Sequence, residues 1–182
     1  MTNRTAATRY ARALLDVAVK EGADLEQIDG DLAGFVDLVQ QHPTLEKVLL
    51  NPAVPVQRKR AAMAELTARA GTSGMVAKLL VLLAERDRLV LLPELRDAYH
   101  ERMLDHRNIV RARVTTVAAL PEGRAQAIGK SLEEITGRTV IVKTDVDPSI
   151  IGGVIAQVGS TIYDGSVTRQ LEKMKQRLVG NI

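Results

Sequence analysis

Histidine is the side chain most often used for metal binding and for proton transfer near neutral pH, and this sequence has three: His42, His100 and His106. The last two are six residues apart, so they do not share a helical face as residues three or four apart would. The sequence has no cysteine, which excludes a thiolate metal site, a thiol nucleophile and a disulfide framework. We therefore interpret the histidines as surface residues and predict no metal site.

Phosphate-binding loops and activated serines also have recognisable spacings. Neither G-x-x-x-x-G-K-[ST] nor G-x-S-x-G occurs in the sequence. The pair Gly152-Gly153 lacks the third glycine and the following helix of a dinucleotide-binding loop, and a hairpin turn explains it better. The adjacent Glu133 and Glu134 fall on the polar side of a predicted helix, where charge is ordinarily solvated. The sequence thus predicts no active site of its own and no cofactor.

Basic residues raise nucleic-acid binding as an alternative function. They form the run 58–60, and Arg107, Arg111 and Arg113 form a second group. A phosphate-binding face needs dense positive charge and base stacking needs aromatic rings. The net charge is only +3 and aromatic residues make up 2% of the chain. The pattern favours a solvated or protein-facing surface, and a helical adaptor or regulator that binds nucleic acid is kept as the alternative.

Apolar residues at helical spacing dominate residues 1–105. The chain has 182 residues, of which 46% are hydrophobic, enough for a core. Prolines and glycines at Pro43, Pro55, Gly71 and Pro93 separate six predicted helices. The most apolar stretch, 75–92, is interrupted by charges and does not supply the roughly 20 uncharged residues of a membrane span. We predict a six-helix bundle at residues 1–105 and expect a soluble, intracellular protein.

The first and fifth predicted helices carry surplus apolar surface. In the first, apolar residues cover an arc of roughly 240°, whereas one packing face needs about 100°. The fifth is apolar nearly all round. Two interpretations remain open: each helix is buried on two sides within its own bundle, or an amphipathic helix of a partner fills the excess arc.

Residues 106–182 show a change of period from 3.6 to 2, which marks a domain boundary. Val110, Ala112 and Val114 alternate with polar residues, as in a half-buried strand. A helix over 121–136 and a strand over 139–146 follow. A turn at Gly152-Gly153 then leads to a further strand and a terminal helix. We predict a small α+β domain with the order strand-helix-strand-strand-helix.

The last stretch, 146–178, combines two tight turns with an amphipathic helix. Asp164 or Ser166 is suited to cap that helix. Its apolar stripe has 4-3-4 spacing and consists of Val167, Leu171, Met174 and Leu178. The stretch contains Val146-Asp147-Pro148, the pair Ile150-Ile151, the pair Gly152-Gly153, and Asp164-Gly165-Ser166-Val167.

These motifs resemble the C-terminal signature of the δ subunits of F-type ATP synthases, the family that includes the mitochondrial oligomycin-sensitivity-conferring protein. The stretches 7–18, 51–52 and 79–88 are similar to the family's first helix, short-helix stop and fifth helix, in the family's order. The chain departs from the family at Ala156, where a larger aliphatic residue is usual. It also departs at Leu79 or Leu80, where phenylalanine is usual.

The resemblance implies a non-catalytic stator subunit that links the catalytic head to the b subunits of the peripheral stalk, so that proton-driven rotation is coupled to ATP synthesis. It implies a place at the cytoplasmic face of the bacterial plasma membrane, peripheral to it through the complex. Residues 1–105 would bind the head and residues 106–182 the stalk. A groove between the first and fifth helices would receive an N-terminal segment of an α subunit, with candidate residues Tyr10, Ala11, Leu14, Ala18, Met75, Leu79 and Leu83. The stalk candidates are Ile151, Val154, Val167, Leu171 and Met174.

Overall fold

The chain forms two compact units, Met1–Met103 and Leu104–Ile182. Its structure, a computed structural model, describes residues 3–159 and 161–179. The first unit is helical, whereas the second combines a four-stranded sheet with helices. The coarse prediction of a helical N-terminal part followed by an α+β part is therefore confirmed. None of the helices in the described ranges is long and apolar enough to cross a membrane.

Helices of the first unit begin and end at the residues that the sequence marks. They are α1 (Asn3–Glu21), α2 (Leu25–Gln41), α3 (Pro43–Leu50), α4 (Val56–Ala70), α5 (Gly74–Glu85) and α6 (Leu92–His106), with a 3-10 turn at Leu89–Leu91 before α6. The Asp24 carboxylate caps α2 by accepting hydrogen bonds from the backbone N–H groups of Glu26 and Gln27. Gly71 ends α4 in the left-handed conformation, with φ of +65°.

The core of the first unit is built from small and aliphatic side chains. Its largest members are fully or almost fully buried and include Ile28, Leu32, Phe35, Met63, Leu80, Leu95 and Tyr99. Helix α1 contacts α2, α5 and the 3-10 turn. A helix with several neighbours buries a wide apolar arc, so much of the arc of α1 is explained by packing within its own bundle.

Lys59 and His100 are polar residues of this unit whose side chains are wholly or largely buried. The Lys59 side chain, on α4, is wholly buried, and its Nζ lies 2.5 Å from Oδ1 of Asp87. His100 Nδ1 lies 2.7 Å from Asp29 Oδ2, and both side chains are largely buried. The prediction that all three histidines are surface residues is therefore wrong for His100. The sequence gives no hint of this partner on α2, because His100 and Asp29 are 71 residues apart.

The second unit is a mixed sheet with one helix across a face. Its elements are β1 (Ile109–Thr116), α7 (Glu122–Thr136), β2 (Thr139–Val146), β3 (Val154–Val158), β4 (Thr161–Asp164) and α8 (Val167–Val179). The strand order is β2-β1-β3-β4, in which β1 and β2 are parallel and the other pairs antiparallel. Two adjacent parallel strands need a crossover connection, and α7 is the crossover between β1 and β2.

Two details of the predicted sheet are corrected. The turn at Gly152-Gly153 does not close a hairpin, because β1 lies between β2 and β3. The hairpin is instead β3–β4, and the predicted order lacked β4 altogether. The residues of β4 fall in the second of the two predicted tight turns, because Asp164, at the end of the strand, and Gly165, after it, are turn formers.

Alternation along the strands places the core of the second unit under α7. The buried cluster consists of Ala112, Val114, Leu132, Ala156 and Val158. At Gly129 of α7 an added Cβ would lie 3.1 Å from Cγ2 of Val142, so the helix approaches β2 closely. Small residues such as Ala156 suit this close packing.

Candidate protein-binding surfaces

Most residues predicted for the α1–α5 groove lie in the core of the first unit. Exposed fractions are 9% or less for Ala11, Leu14, Ala18, Leu79 and Leu83. Tyr10 and Met75 are half-buried and reach the surface. The α1 and α5 stripes read from the sequence are therefore mainly the faces with which the unit packs on itself.

Beside the buried stripe, α1 carries a second apolar row. Tyr10, Ala13 and Val17 follow one another at helical spacing, and Val17 is 44% exposed. On α5, Met75 and Leu82 also reach the surface, and Leu82 is 38% exposed. The sequence signalled this row only through the width of the apolar arc, because Ala13 and Val17 lie outside the central stripe.

A hydrogen bond ties the α1 row to the end of α5. Arg88 follows α5, and its Nη1 donates to the Tyr10 hydroxyl over 3.0 Å. The preceding Asp87 has a left-handed backbone, with φ of +53°, and pairs with the buried Lys59. Lys59 thus fixes the turn from which Arg88 reaches Tyr10.

In the second unit the apolar stripe of α8 is exposed. The exposed fraction is 38% for Val167, 58% for Leu171, 60% for Met174 and 76% for Leu178. Ile151, in the loop before β3, is 77% exposed. Val154 differs from these candidates, because it is half-buried and packs against the sheet core. Four of the five predicted stalk residues are therefore surface residues, and they cluster on or beside α8.

The two glycines and the segment 164–167 hold the start of α8. The Val167 N–H donates to the Gly152 carbonyl over 3.0 Å, and the Gly165 N–H donates to the Val154 carbonyl over 2.9 Å. Gly153 has φ of +91°, and a Cβ there would lie 2.5 Å from the Gly165 carbonyl oxygen. Only glycine fits this position. The glycine pair is a structural joint rather than a ligand loop.

Ser166 is the cap of α8, which resolves the choice between Asp164 and Ser166. The Ser166 hydroxyl accepts from the Arg169 N–H over 3.2 Å. Asp164 supports the cap from outside the helix, since its Oδ1 accepts from the Ser166 N–H over 2.9 Å. Hydrogen bonds from the Ser166 backbone and side chain hold the pKa of Asp164 below its ordinary value of 3.8.

No group of three or more metal-binding side chains comes together in the part of the chain that the structure describes.

The protein-family model for the ATP synthase delta (OSCP) subunit matches residues 6–178. The chain belongs to this family. Its relatives include the ATP synthase subunit delta of Geotalea uraniireducens, which is 35% identical over 178 residues, 98% of each chain.

Solved structures agree with the family assignment. A chain in the cryo-EM structure of the Toxoplasma gondii mitochondrial ATP synthase hexamer has the same fold, with a TM-score of 0.64, 24% identity and coverage of 95% of this chain and 97% of that one. A chain in a Polytomella F-ATP synthase structure focused on the F1 head and rotor has a TM-score of 0.52 and 30% identity, and covers 55% of this chain and 87% of that one.

Membership of the delta (OSCP) family determines the class of function. The chain is a structural, non-catalytic subunit of an F-type ATP synthase and belongs to its peripheral stalk, the stator. The prediction of a protein without an active site of its own is confirmed by this membership. The surfaces to be explained are therefore those that bind other subunits.

Proposed function

We propose that the two units of this delta-family subunit bind different parts of the synthase. The first unit, predicted as residues 1–105, binds N-terminal segments of α subunits on the catalytic head. The second, predicted as residues 106–182, binds the C-terminal ends of the b subunits. A head held in this way does not turn with the rotor, so proton-driven rotation is coupled to ATP synthesis. The subunit works at the cytoplasmic face of the bacterial plasma membrane, which it reaches through the complex.

The proposal that the first unit binds the catalytic head rests on the exposed apolar row of α1 and α5. Tyr10, Val17, Met75 and Leu82 form this α1–α5 row at the surface, whereas the predicted groove residue Leu79 is buried. An amphipathic helix binds such a surface by placing apolar residues at every third or fourth position against it. The remaining predicted groove residues, Ala11, Leu14, Ala18 and Leu83, are buried in the core of the first unit.

Aspartate substitutions at two equally exposed valines of α1 test the head-binding half. Val17 and Val19 are each 44% exposed, but their positions lie on different sides of the helix. Val17→Asp should weaken binding of the cognate α-subunit N-terminal peptide at least about tenfold in calorimetry, because it places a charge in an apolar contact. Val19→Asp should leave the affinity within about twofold. Equal affinities in both variants would remove α1 from the binding surface.

The exposed stripe of α8 supports the stalk-binding half. Its apolar residues are flanked by four basic side chains and one acidic one, Arg169, Glu172, Lys173, Lys175 and Arg177. A stable subunit contact buries about 1,200–2,000 Å² in total, which one helix and the adjoining loop at Ile151 only begin to supply. The stalk contact therefore extends beyond these residues within the second unit.

A matched pair on α8 tests the stalk-binding half. Leu171→Asp places a negative charge in the apolar stripe, whereas Gln176→Asp places the same charge on the opposite side of the helix. Pull-down of the C-terminal part of the cognate b subunits should fall at least about tenfold for the first and hardly change for the second. Retention by Leu171→Asp would exclude α8 from the stalk contact.

A further inference from the structure

A pocket of the first unit lies away from the α1–α5 row. It is formed where α2 ends, along α3, and where the 3-10 turn leads into α6. Its apolar walls are Val36, Val39, Leu50, Leu89, Val90 and Leu92. None of the residues that line it belongs to α1 or α5. The proposed head-binding row does not explain this pocket.

The volume of the pocket indicates which kind of ligand fits it. Its volume is about 270 Å³, slightly below the roughly 300–1,000 Å³ of small-molecule and cofactor sites. The rim is apolar as well as the floor, since Leu50 is 39% and Val90 50% exposed. A bulky apolar side chain projecting from another chain fits such a hollow better than a cofactor does.

Two carboxylates at the pocket indicate the charge of the residues that would flank this apolar side chain in the ligand. Glu46 lies on α3 and Glu94 on α6, and both line the pocket. Neither forms an ion pair with any residue of the described ranges 3–159 and 161–179. Two like charges at one apolar site repel an acidic ligand and attract a basic one.

We propose that this pocket is a second docking site of the first unit. Its occupant is a protein segment that inserts a large apolar side chain between lysine or arginine residues. The apolar side chain covers Leu50 and Val90, and the basic residues meet Glu46 and Glu94. This site is independent of the α1–α5 row, so either can fail without the other.

Two short helical probe peptides test the proposal on the full chain. One presents a leucine face flanked by lysines, and the other is identical except that glutamates replace the lysines. Methyl NMR titration should show shifts at Val39, Leu50 and Val90 with the lysine peptide. That peptide should also bind at least about tenfold more tightly than its glutamate counterpart.

Charge-neutralising variants test whether Glu46 and Glu94 recognise the lysines of the peptide. The double variant Glu46→Gln with Glu94→Gln should reduce the affinity for the lysine peptide about tenfold. Glu101→Gln, which removes an exposed carboxylate of α6 that does not line the pocket, should leave it unchanged. The proposal is overturned if neither peptide binds, if both bind equally, or if Glu101→Gln has the effect of the double variant. Shifts confined to Val17 and Leu82 would assign the peptide to the α1–α5 row and would overturn it as well.

Discussion

The two units of this subunit use the same apolar pattern in opposite ways. In the first, the predicted partner-binding stripe of α1 is buried, with Leu14 only 5% exposed. In the second, the stripe of α8 is open, with Leu171 58% exposed. The difference follows from the number of neighbours: α1 lies among several helices, whereas the small sheet already has α7 on the face that holds its core.

This contrast shows that the same apolar stripe can form the core of one unit and remain exposed in the other. In a bundle the main stripe is needed for folding, so the proposed binding surface of the first unit is the flanking row, here Val17 and Leu82. In a small α+β unit, one helix is enough to cover the core, and the apolar stripe of a second amphipathic helix stays exposed, as in α8. Three substitution tests and one pH titration, from the largest expected effect to the smallest, can break or sharpen the contrast.

Gly153→Ala should have the largest effect and should be confined to the second unit. The added Cβ would lie 2.5 Å from the Gly165 carbonyl oxygen at a backbone φ of +91°, so the joint before α8 must distort. We expect a loss of about 3–5 kcal/mol in the free energy of unfolding of this unit. Hydrogen exchange should rise in β3 and α8 and stay unchanged in α2.

Gly159→Ala is the control for backbone strain alone. Gly159 also has a positive φ, +58°, but a Cβ there meets nothing within 4 Å. The substitution should cost only about 1–2 kcal/mol. Equal effects at the two glycines would show that the contact with Gly165 is not what requires Gly153.

Leucine-to-alanine substitutions in the two stripes compare the units directly. Leu14→Ala should lower the unfolding free energy of the first unit by about 3 kcal/mol, because it leaves a cavity in the core. Leu171→Ala should change that of the second unit by less than about 0.5 kcal/mol, because its side chain is already exposed. Denaturant titration followed by hydrogen exchange measures both. Similar losses would mean that α8 is packed in solution and would end the contrast.

The sequence predicted the helices well because their ends carry local chemistry. Asp24, Pro43 and Gly71 act on their own backbone or the next turn, so no knowledge of the fold is needed to interpret them. The strand order was not predictable in this way. Gly152-Gly153 is a sound turn signal, but the placement of β1 between β2 and β3 depends on pairing across many residues.

The exposed apolar surfaces were only partly predictable for a related reason. Periodicity locates an apolar face but does not say whether the protein's own core or a partner covers it. For α1 the central stripe of Leu14 belonged to the core, whereas the less regular Ala13 and Val17 reach the surface. The pairs Lys59–Asp87 and His100–Asp29 were missed because their members are distant in sequence.

Asp87→Asn tests whether the first unit depends on its buried charge. Lys59 Nζ has Asp87 as its ion-pair partner, and its side chain is fully buried, so neutralising Asp87 leaves the lysine charge poorly compensated. Asp87 is 47% exposed and solvent compensates in part, so we expect a loss of about 2 kcal/mol. Asparagine tolerates the left-handed backbone, which isolates the charge effect.

Glu85→Gln is the matched control for Asp87→Asn. Glu85 pairs with Arg60 over 3.1 Å at the same end of α5, but both side chains are at least 36% exposed. Removing this exposed pair should change the unfolding free energy by less than about 1 kcal/mol. If chemical denaturation gives equal losses for the two variants, burial of Lys59 is not the cause.

Acid should loosen the start of α8 while leaving the core of its unit intact. The pKa of Asp164 is lowered from 3.8 by hydrogen bonds from the Ser166 backbone N–H and hydroxyl. Its contribution to stability is therefore complete above pH 3.8 and is lost as the pH falls through the lower pKa of the folded state. In an NMR titration, the Ser166 amide shift should have its midpoint below pH 3.8. Asp164→Asn should abolish that titration, whereas Asp147→Asn, at the turn after β2, should leave it. A midpoint at or above pH 3.8 would show that Asp164 does not hold the cap in solution. The start of α8 would then be held without it, by the backbone hydrogen bonds from Val167 to Gly152 and from Gly165 to Val154.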